Sequence, residues 1–252
     1  TAAHAEHQLT YPRLVHRAVA EQQQIGLQRR TMLGKHCGYI GTLGHGLGEL
    51  HGAADMTTPA ALELHGKLAE FVDASANFAA VEVSSHALTQ DRVDGVAIDT
   101  AVFTNLTRDH LDYHGDMESY GEAKASLFLA AEPSRRIINV DSEFGITLAG
   151  RCGPDVIAVS TQENRAAGEL RHVSVRSAAA TPDGFDVAIT SSWGDGHLRL
   201  PLHGEFNVAN AALVLAFLLS EDVPLEEASE ALAAVAAPPG RLQRVDVDAF
   251  GR

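Results

Sequence analysis

The sequence predicts an α/β fold built on a mostly parallel sheet. Apolar, β-branched runs alternate along the chain with stretches of helical periodicity, which is the rhythm of successive strand–helix–strand units. The runs are almost continuously apolar, as is typical of strands that are covered on both faces. They occupy residues 78–83, 96–106, 136–140 and 155–160.

Four segments have the pattern of helices that flank this sheet. Residues 59–76 and 117–132 are amphipathic, and Thr58 is a candidate N-cap directly before a proline. Residues 206–219 are almost entirely apolar, which predicts a buried helix, and a second helix is expected over 224–236.

The segment from His172 to His203 has a different character, because polar and apolar residues alternate around Gly194–Asp195–Gly196. Alternation with a glycine-rich turn predicts an antiparallel hairpin. The fold class is therefore α/β, a mostly parallel sheet flanked by helices with a small antiparallel β subregion. Residues 16–30 are polar, rich in Gln and Arg, and predict at best a surface helix.

Composition limits the possible partners. The 252 residues carry 33 acidic and 19 basic side chains, for a net charge of -14, which argues against a nucleic-acid or anionic-membrane surface. The longest apolar run, residues 211–219, is too short to span a bilayer. Only Cys37 and Cys152 are present, and the first residues lack a signal-peptide pattern, so we expect a cytoplasmic protein without membrane insertion.

Two polar loops follow predicted strands and are the best candidates for a functional site. Ligands of open α/β sheets bind at the carboxyl ends of the strands, where both loops would lie. Hard oxygen ligands and imidazole without paired cysteines favour Mg²⁺ or Mn²⁺. The candidate side chains are Glu82, Ser84, Ser85, His86, Arg92, Asp109, His110 and Asp112. Polar strand-end loops are also common without function.

Two further patterns are weaker. His110 and His114 have a spacing that could bind zinc on a helix, but the glutamate of a zinc-protease motif is missing. The glycine-rich residues 41–48 are not followed by the Lys-Ser or Lys-Thr of a phosphate loop, so we predict a turn after a short strand at Cys37.

Several strings, taken together and in this order, resemble the Mur ligase family. The resemblance extends from about Leu33 to Asp246 and corresponds to the central, ATP-binding domain of that family, assigned here to residues 33–240. The strings are TTPAALEL (57–64), EVSSHALTQDRV (82–93), VFTNLTRDHLDYHGDMESYGEAKASLF (102–128), SSWGDG (191–196), HGEFNVANAA (203–212) and PPGRLQRVD (238–246).

The resemblance implies an ATP-dependent amide ligase of peptidoglycan precursor synthesis. The members most similar to this sequence add the third amino acid, diaminopimelate or lysine, to the peptide of UDP-N-acetylmuramoyl-L-alanyl-D-glutamate. In this family the peptide carboxylate takes the γ-phosphate of ATP, and the amine of the incoming amino acid attacks the resulting acyl phosphate. Phosphoryl transfer of this kind depends on metal ions and cationic clamps.

The resemblance also implies roles for individual residues. Glu82 and His110 would hold Mg²⁺, and Lys124 would be the family's carbamylated lysine, a further metal ligand; His110 and Lys124 are the catalytic candidates. Without the resemblance, Lys124 would read as an ordinary solvated helical lysine. The remaining assignments are substrate contacts at Thr57, Thr58, Ser84, Gln90 and Arg92 and ATP contacts at Asn207 and Arg241. Asn207 could equally be a helix N-cap.

The two ends of the sequence depart from the family pattern. Residues 1–32 lack the phosphate loop, which leads us to expect a substituted or out-of-frame segment there, and residues 241–252 are expected to be a linker towards a further domain. The alternative function is a non-catalytic module that binds the UDP-muramyl peptide. The metal-ligand candidates favour the enzyme, and the lost phosphate loop favours the module.

Overall fold

The computed structural model describes residues 18–20, 36–48, 50–51, 56–162 and 170–235. These residues form ten strands and seven helices. The strands are β1 Ala18–Ala20, β2 Cys37–Gly41, β3 Gly44–Leu47, β4 Phe78–Val81, β5 Thr100–Phe103, β6 Arg135–Asn139, β7 Val156–Ser160, β8 Arg171–Thr181, β9 Gly184–Ser191 and β10 Gly194–Leu200. The helices are α1 Ala61–Asp73, α2 Ser85–Thr89, α3 Leu111–His114, α4 Met117–Leu129, α5 Glu143–Cys152, α6 Glu205–Ser220 and α7 Leu225–Ala233.

All ten strands belong to one sheet, in the order β10-β9-β8-β7-β6-β5-β1-β4-β2-β3. The seven strands from β8 to β2 in this order pair in parallel, whereas β9, β10 and β3 pair antiparallel at the two sides. The predicted fold class is confirmed. The parallel part aligns the carboxyl ends of its strands along one edge, which is where the polar loops lie.

Two apolar cores cover the faces of the sheet. Successive residues of one strand enter different cores: Ile137 packs on the side of α6 and α7, whereas Ile138 packs on the side of α1, α4 and α5. This alternation follows from the twofold period of a strand. Residues 211–219 are buried in α6, as their composition predicts, because α6 packs against β6, β7 and β8 and also contacts α7. None of the described helices has the length and apolar character needed to cross a bilayer.

The structure corrects three local predictions. Gly194–Asp195–Gly196 is not the hairpin turn, because these residues begin β10 and the chain reverses at Ser192–Trp193. The antiparallel subregion is a three-stranded meander of β8, β9 and β10 rather than one hairpin. Ala18–Ala20, within the segment expected to be at best a surface helix, is a strand between β4 and β5. The rest of residues 1–32, and residues 241–252 with Arg241, lie outside the described residues.

An ion-pair triad ties three elements together at the amino end of the sheet. The Arg135 Nη1 atom, at the start of β6, lies 2.6 Å from Asp99 Oδ2 and 2.7 Å from Glu221 Oε1. The Glu221 side chain is only 6% exposed. A carboxylate in such a position is costly without its cation.

Arg135→Met is therefore expected to lower the free energy of unfolding by about 3 kcal/mol, since it leaves a buried carboxylate without its guanidinium. Urea denaturation measures the change. The control is Arg199→Met, because Arg199 is 86% exposed in its side chain and lies 3.8 Å from Asp186. That variant should change stability by less than about 0.5 kcal/mol. Equal effects of the two substitutions would contradict a special role for the triad.

Candidate functional site

Glu82 lies immediately after β4 and is held rigidly. Its side chain is buried, and its carboxylate accepts three hydrogen bonds. The Tyr39 hydroxyl donates to Oε1 at 2.7 Å, and Thr42 donates to Oε2 from its backbone N–H at 2.9 Å and from its hydroxyl at 2.6 Å. A carboxylate has about four acceptor positions, so one remains for a further donor or a cation.

Gly41 makes room for this arrangement. A Cβ atom at residue 41 would lie 2.7 Å from Glu82 Cδ and would also meet the Tyr39 hydroxyl. Both side chains are hydrogen-bonded to each other, so neither can move without breaking that contact. A side chain at position 41 is thus incompatible with the observed position of the carboxylate.

Gly41→Ala is expected to lower stability by about 1–3 kcal/mol because of this overpacking. The matched control is Gly66→Ala in α1, where nothing lies within 4 Å of the added Cβ. Alanine is a better helix former than glycine, so the control should gain up to about 1 kcal/mol. Thermal unfolding of the two variants measures the difference, and a neutral Gly41→Ala would show that Glu82 is free to move.

Thr58 joins the end of β4 to the start of α2. It is fully buried, donates to the Glu82 backbone carbonyl at 2.7 Å, and accepts from the Ser84 backbone N–H at 2.9 Å. The predicted N-cap role of Thr58 is wrong, since the N-cap of α1 is Ala60 and Thr58 uses its hydroxyl in this bridge. Ser84 caps α2 instead, accepting from the Ala87 backbone N–H at 3.2 Å. The Thr57 hydroxyl lies 3.1 Å from that of Thr42.

Gln90 and Arg92 form a connected pair beyond the end of α2. Arg92 donates from Nε to Gln90 Oε1 at 3.0 Å and from Nη1 to the Thr58 carbonyl at 2.8 Å. The Gln90 side-chain amide donates to the Tyr113 hydroxyl at 3.1 Å. The guanidinium therefore connects the end of α2 to the segment before α1, and the Gln90 side chain is exposed at the surface.

The second polar loop meets α2 through aromatic rings. His110 has a left-handed backbone, with φ 55°, and precedes the single turn of α3. The His86 ring packs against Tyr113, His110 and His114, with centroid distances of 4.0, 5.1 and 5.5 Å. The His114 Nε2 atom lies 2.9 Å from the Ser85 hydroxyl. Desolvation lowers the pKa of His86 and His114, with a smaller contribution from the neighbouring imidazoles, so these rings favour the neutral form.

Lys124 is a buried lysine on α4, only 5% exposed. Its Nζ atom lies 4.8 Å from the centroid of the Tyr120 ring and donates to the Asn105 carbonyl at 3.3 Å. Burial lowers its pKa from 10.5 to about 7, and the nearby Asp109 carboxylate opposes the shift. Tyr120 also contacts the His110 and His114 rings, with centroid distances of 5.8 and 5.1 Å. The structure therefore joins Lys124 to His110 through one aromatic ring.

Most of the predicted site residues come together at this edge of the sheet. Thr57, Thr58, Glu82, Ser84, Gln90 and Arg92 form one hydrogen-bonded group, and His110 and Lys124 adjoin it through His86 and Tyr120. Asn207 is not the N-cap of α6, which is Gly204. It lies inside that helix, is buried, and donates from Nδ2 to the His203 carbonyl at 2.8 Å.

Several residues of the site could not be assigned from the sequence. Tyr39 lies in an apolar strand, so the sequence predicts only a core residue there. In the structure its hydroxyl donates a hydrogen bond to Glu82. Thr42 is in the predicted turn, directly after Gly41, and nothing else in the sequence indicates that it contacts Glu82. Tyr113 and Tyr120 belong to the polar string of 102–128, but only their packing reveals their contacts.

The described residues contain no group of three His, Cys, Asp or Glu side chains placed to hold a metal ion. Glu82 offers a hard oxygen and His110 an exposed imidazole, both suitable for a divalent cation. These two are insufficient alone, so a metal site here would require a further oxygen ligand. The buried amine of Lys124, uncharged above a pH of about 7, could provide one only after chemical conversion to an anion.

The fold is an open, mostly parallel α/β sheet, and its strand-end loops bring a hydrogen-bonded guanidinium, candidate cation ligands and a buried lysine to the same end of the sheet. Residues 29–218 match the family described as the Mur ligase middle domain. The chain belongs to the Mur ligase family.

Curated relatives agree with this assignment. The chain is 42% identical over 227 residues to a UDP-N-acetylmuramoyl-L-alanyl-D-glutamate--2,6-diaminopimelate ligase of Xanthomonas campestris pv. campestris, covering 88% of this chain and 44% of the relative. It is 41% identical over 216 residues to the ligase of the same name from Coxiella burnetii, covering 84% and 44%. The chain thus spans less than half the length of these relatives.

A solved structure shares the fold. It is titled as a UDP-N-acetylmuramoyl-L-alanyl-D-glutamate--2,6-diaminopimelate ligase, with a TM-score of 0.73 and 32% identity, and the match covers 84% of this chain and 43% of the other.

Proposed function

We propose that this chain contributes the central domain of an ATP-dependent amide ligase of peptidoglycan precursor synthesis. The reaction would add a third amino acid to UDP-N-acetylmuramoyl-L-alanyl-D-glutamate. Diaminopimelate is favoured over lysine, because the similar ligases carry diaminopimelate in their names. The observation that carries the proposal is the hydrogen-bonded Arg92–Gln90–Thr58 group, which the rings of Tyr113, His114 and Tyr120 connect to the buried Lys124.

The side-chain amide of Gln90 and the guanidinium of Arg92 are hydrogen-bond donors that suit the anionic end of the substrate. A guanidinium already fixed by Gln90 and the Thr58 carbonyl loses little freedom when it binds a carboxylate or phosphate. Thr57 and Ser84 would supply hydroxyl contacts from the same edge. Their role in the reaction is to hold the peptide carboxylate in line with the γ-phosphate of ATP.

Lys124 would act as a carbamate. Carbon dioxide reacts with a neutral amine, and burial keeps the Lys124 amine neutral at a lower pH than an exposed lysine. The carbamate would provide the oxygen ligand that Glu82 and His110 lack. Mg²⁺ bound there would neutralise the charge that builds up on the phosphoryl group.

The chemistry then proceeds in two steps. An oxygen of the peptide carboxylate attacks the γ-phosphorus of ATP, and ADP leaves. The incoming amine next attacks the acyl carbon, loses a proton, and releases phosphate as the amide forms. Asn207 and Arg241 are the proposed ATP contacts; the amide of Asn207 already donates to the His203 carbonyl, which leaves its oxygen for the nucleotide.

We further propose that residues 33–240 form this domain and that the protein works in the cytoplasm. From β2 to α7, the described elements build one sheet with its covering helices, which supports a single domain. Cys37 and Cys152 are both free thiols, which suits a reducing compartment.

Calorimetric titration tests the proposal. The chain is titrated with UDP-N-acetylmuramoyl-L-alanyl-D-glutamate, and separately with ATP and Mg²⁺. Binding of both supports the ligase, whereas binding of the muramyl peptide without ATP supports a non-catalytic binding module. Arg92→Lys is the comparison variant in the muramyl-peptide titration. Lysine keeps the positive charge, but its ammonium cannot contact Gln90 and the Thr58 carbonyl together. If the chain bound neither the muramyl peptide nor ATP, the proposed function would be refuted for this chain.

A further inference from the structure

We propose that Tyr113 is a positioning residue for substrate binding, because its hydroxyl fixes the side-chain amide of Gln90 so that Gln90 offers only N–H to a ligand. The substrate part of this inference rests on the proposed function. The geometric part rests only on the hydrogen bonds around Tyr113.

The direction of these hydrogen bonds follows from the chemistry of each group. Arg92 can only donate, so the atom of Gln90 that faces it must be the carbonyl oxygen. Arg92 reaches this oxygen from both Nε and Nη2, which uses its two lone pairs. The amide nitrogen of Gln90 must then face Tyr113, and it donates to the phenolic oxygen.

Thr89 completes the chain of hydrogen bonds. Its hydroxyl has one proton, which points back to the helix carbonyl of Ser85 or His86, at 3.2 and 3.1 Å. The Thr89 oxygen therefore accepts from the Tyr113 hydroxyl, 3.1 Å away. The bonds run in one direction, from Arg92 through Gln90 and Tyr113 to Thr89.

The Tyr113 ring is fixed independently of its hydroxyl. It packs on His86 at a centroid distance of 4.0 Å, and the backbone of α3 carries it. Tyr113 is 44% exposed, and Gln90 beside it is exposed too. The remaining amide N–H of Gln90 is thus available to solvent and to a ligand, while its oxygen is fully used. A site of this kind favours a ligand group that accepts hydrogen bonds, such as a carboxylate or phosphate, over a ligand group that donates them.

Tyr113→Phe is the decisive variant, because it removes the hydroxyl and keeps the ring on His86. Side-chain amide resonances in a ¹⁵N-correlated NMR spectrum provide a readout that needs no substrate, with the Gln90 signal assigned by its loss in Gln90→Ala. We expect the Gln90 amide protons to shift and to exchange faster with water in Tyr113→Phe. An unchanged Gln90 signal would overturn the positioning role.

Calorimetry with UDP-N-acetylmuramoyl-L-alanyl-D-glutamate provides the functional readout. Tyr113→Phe should weaken binding about threefold to tenfold, the usual effect of one hydrogen bond. In the Gln90→Ala background the same substitution should have no further effect, since Tyr113 acts through Gln90. Thr190→Val, which removes a hydroxyl on β9, is the control and should bind like the wild type.

The outcomes separate the two hypotheses. A wild-type chain that does not bind the muramyl peptide refutes the proposed function, and the NMR result still decides the role of Tyr113. Wild-type binding that Tyr113→Phe leaves unchanged overturns the inference and keeps the function. Equal losses from Tyr113→Phe in both backgrounds would also overturn it, because they would show that Tyr113 acts independently of Gln90.

Discussion

Lys124→Ala is expected to abolish the proposed ligation, with a loss of about 10³-fold or more, because the variant removes the group that would become the missing oxygen ligand. Ligation is measured as phosphate release in the presence of ATP, Mg²⁺, UDP-N-acetylmuramoyl-L-alanyl-D-glutamate and diaminopimelate. Short carboxylates such as acetate should restore part of the activity, since they can occupy the cavity that the side chain leaves and present an oxyanion there.

Lys67→Ala is the matched control for this substitution. Lys67 is on α1, where it forms an i,i+4 ion pair with Glu63 at 3.2 Å, and no site contact involves it. Its removal should leave ligation unchanged. Full activity of Lys124→Ala without added carboxylate would exclude Lys124 from the reaction.

Lys124→Met is expected to stabilise the chain at neutral pH by as much as about 5 kcal/mol. The pKa of Lys124 falls from 10.5 to about 7 on folding because of burial. Below pH 7 both states of the wild type are protonated, and the folded state carries the full cost of a buried ammonium. Between pH 7 and 10.5 the unfolded state binds the extra proton, so wild-type stability rises with pH and the advantage of methionine disappears.

Urea denaturation of both proteins at several pH values, in buffer freed of carbon dioxide, measures this difference. Lost contacts of the ammonium with Tyr120 and the Asn105 carbonyl reduce the gain by a small amount. A stability difference that does not change between pH 7 and 10 would contradict the lowered pKa. Together the two variants test whether the lysine that the proposed reaction requires also lowers the stability of the fold.

The parallel part of the fold is predictable from the sequence because its strands are short, apolar and separated by amphipathic helices. The apolar runs at 78–83 and 155–160 contain the strands β4 and β7. The meander was only partly predictable. Gly194 and Gly196 indicate a turn nearby, but the sequence does not show whether they form the turn or follow it. β1 was not predictable, since Ala18–Ala20 is surrounded by polar residues and its place depends on pairing with distant strands.

The candidate site was predictable as a set of residue types but not as a set of contacts. Glu82 stands out because it is a charged residue directly after an apolar strand, and Arg92 because it belongs to the polar loop that follows the same strand. The role of Thr58 was mispredicted, because a threonine before a proline fits an N-cap, whereas the structure uses its hydroxyl to join two backbone segments. Tyr39 gives no local signal at all, since a tyrosine in a buried strand is ordinary and only Glu82, 43 residues away, gives its hydroxyl a partner.

The place of β1 has a consequence for the order in which the molecule folds. Among the described residues, β4 pairs with β1 and β2, and β5 pairs with β1 and β6. In this part of the chain the ladders on the two sides of the sheet are therefore joined through the three residues of β1. Their partners lie about sixty and eighty residues further along, and such distant pairings form slowly. We therefore expect the insertion of β1 between β4 and β5 to be a late step of folding, after the two sides have begun to pack into the apolar core that they share.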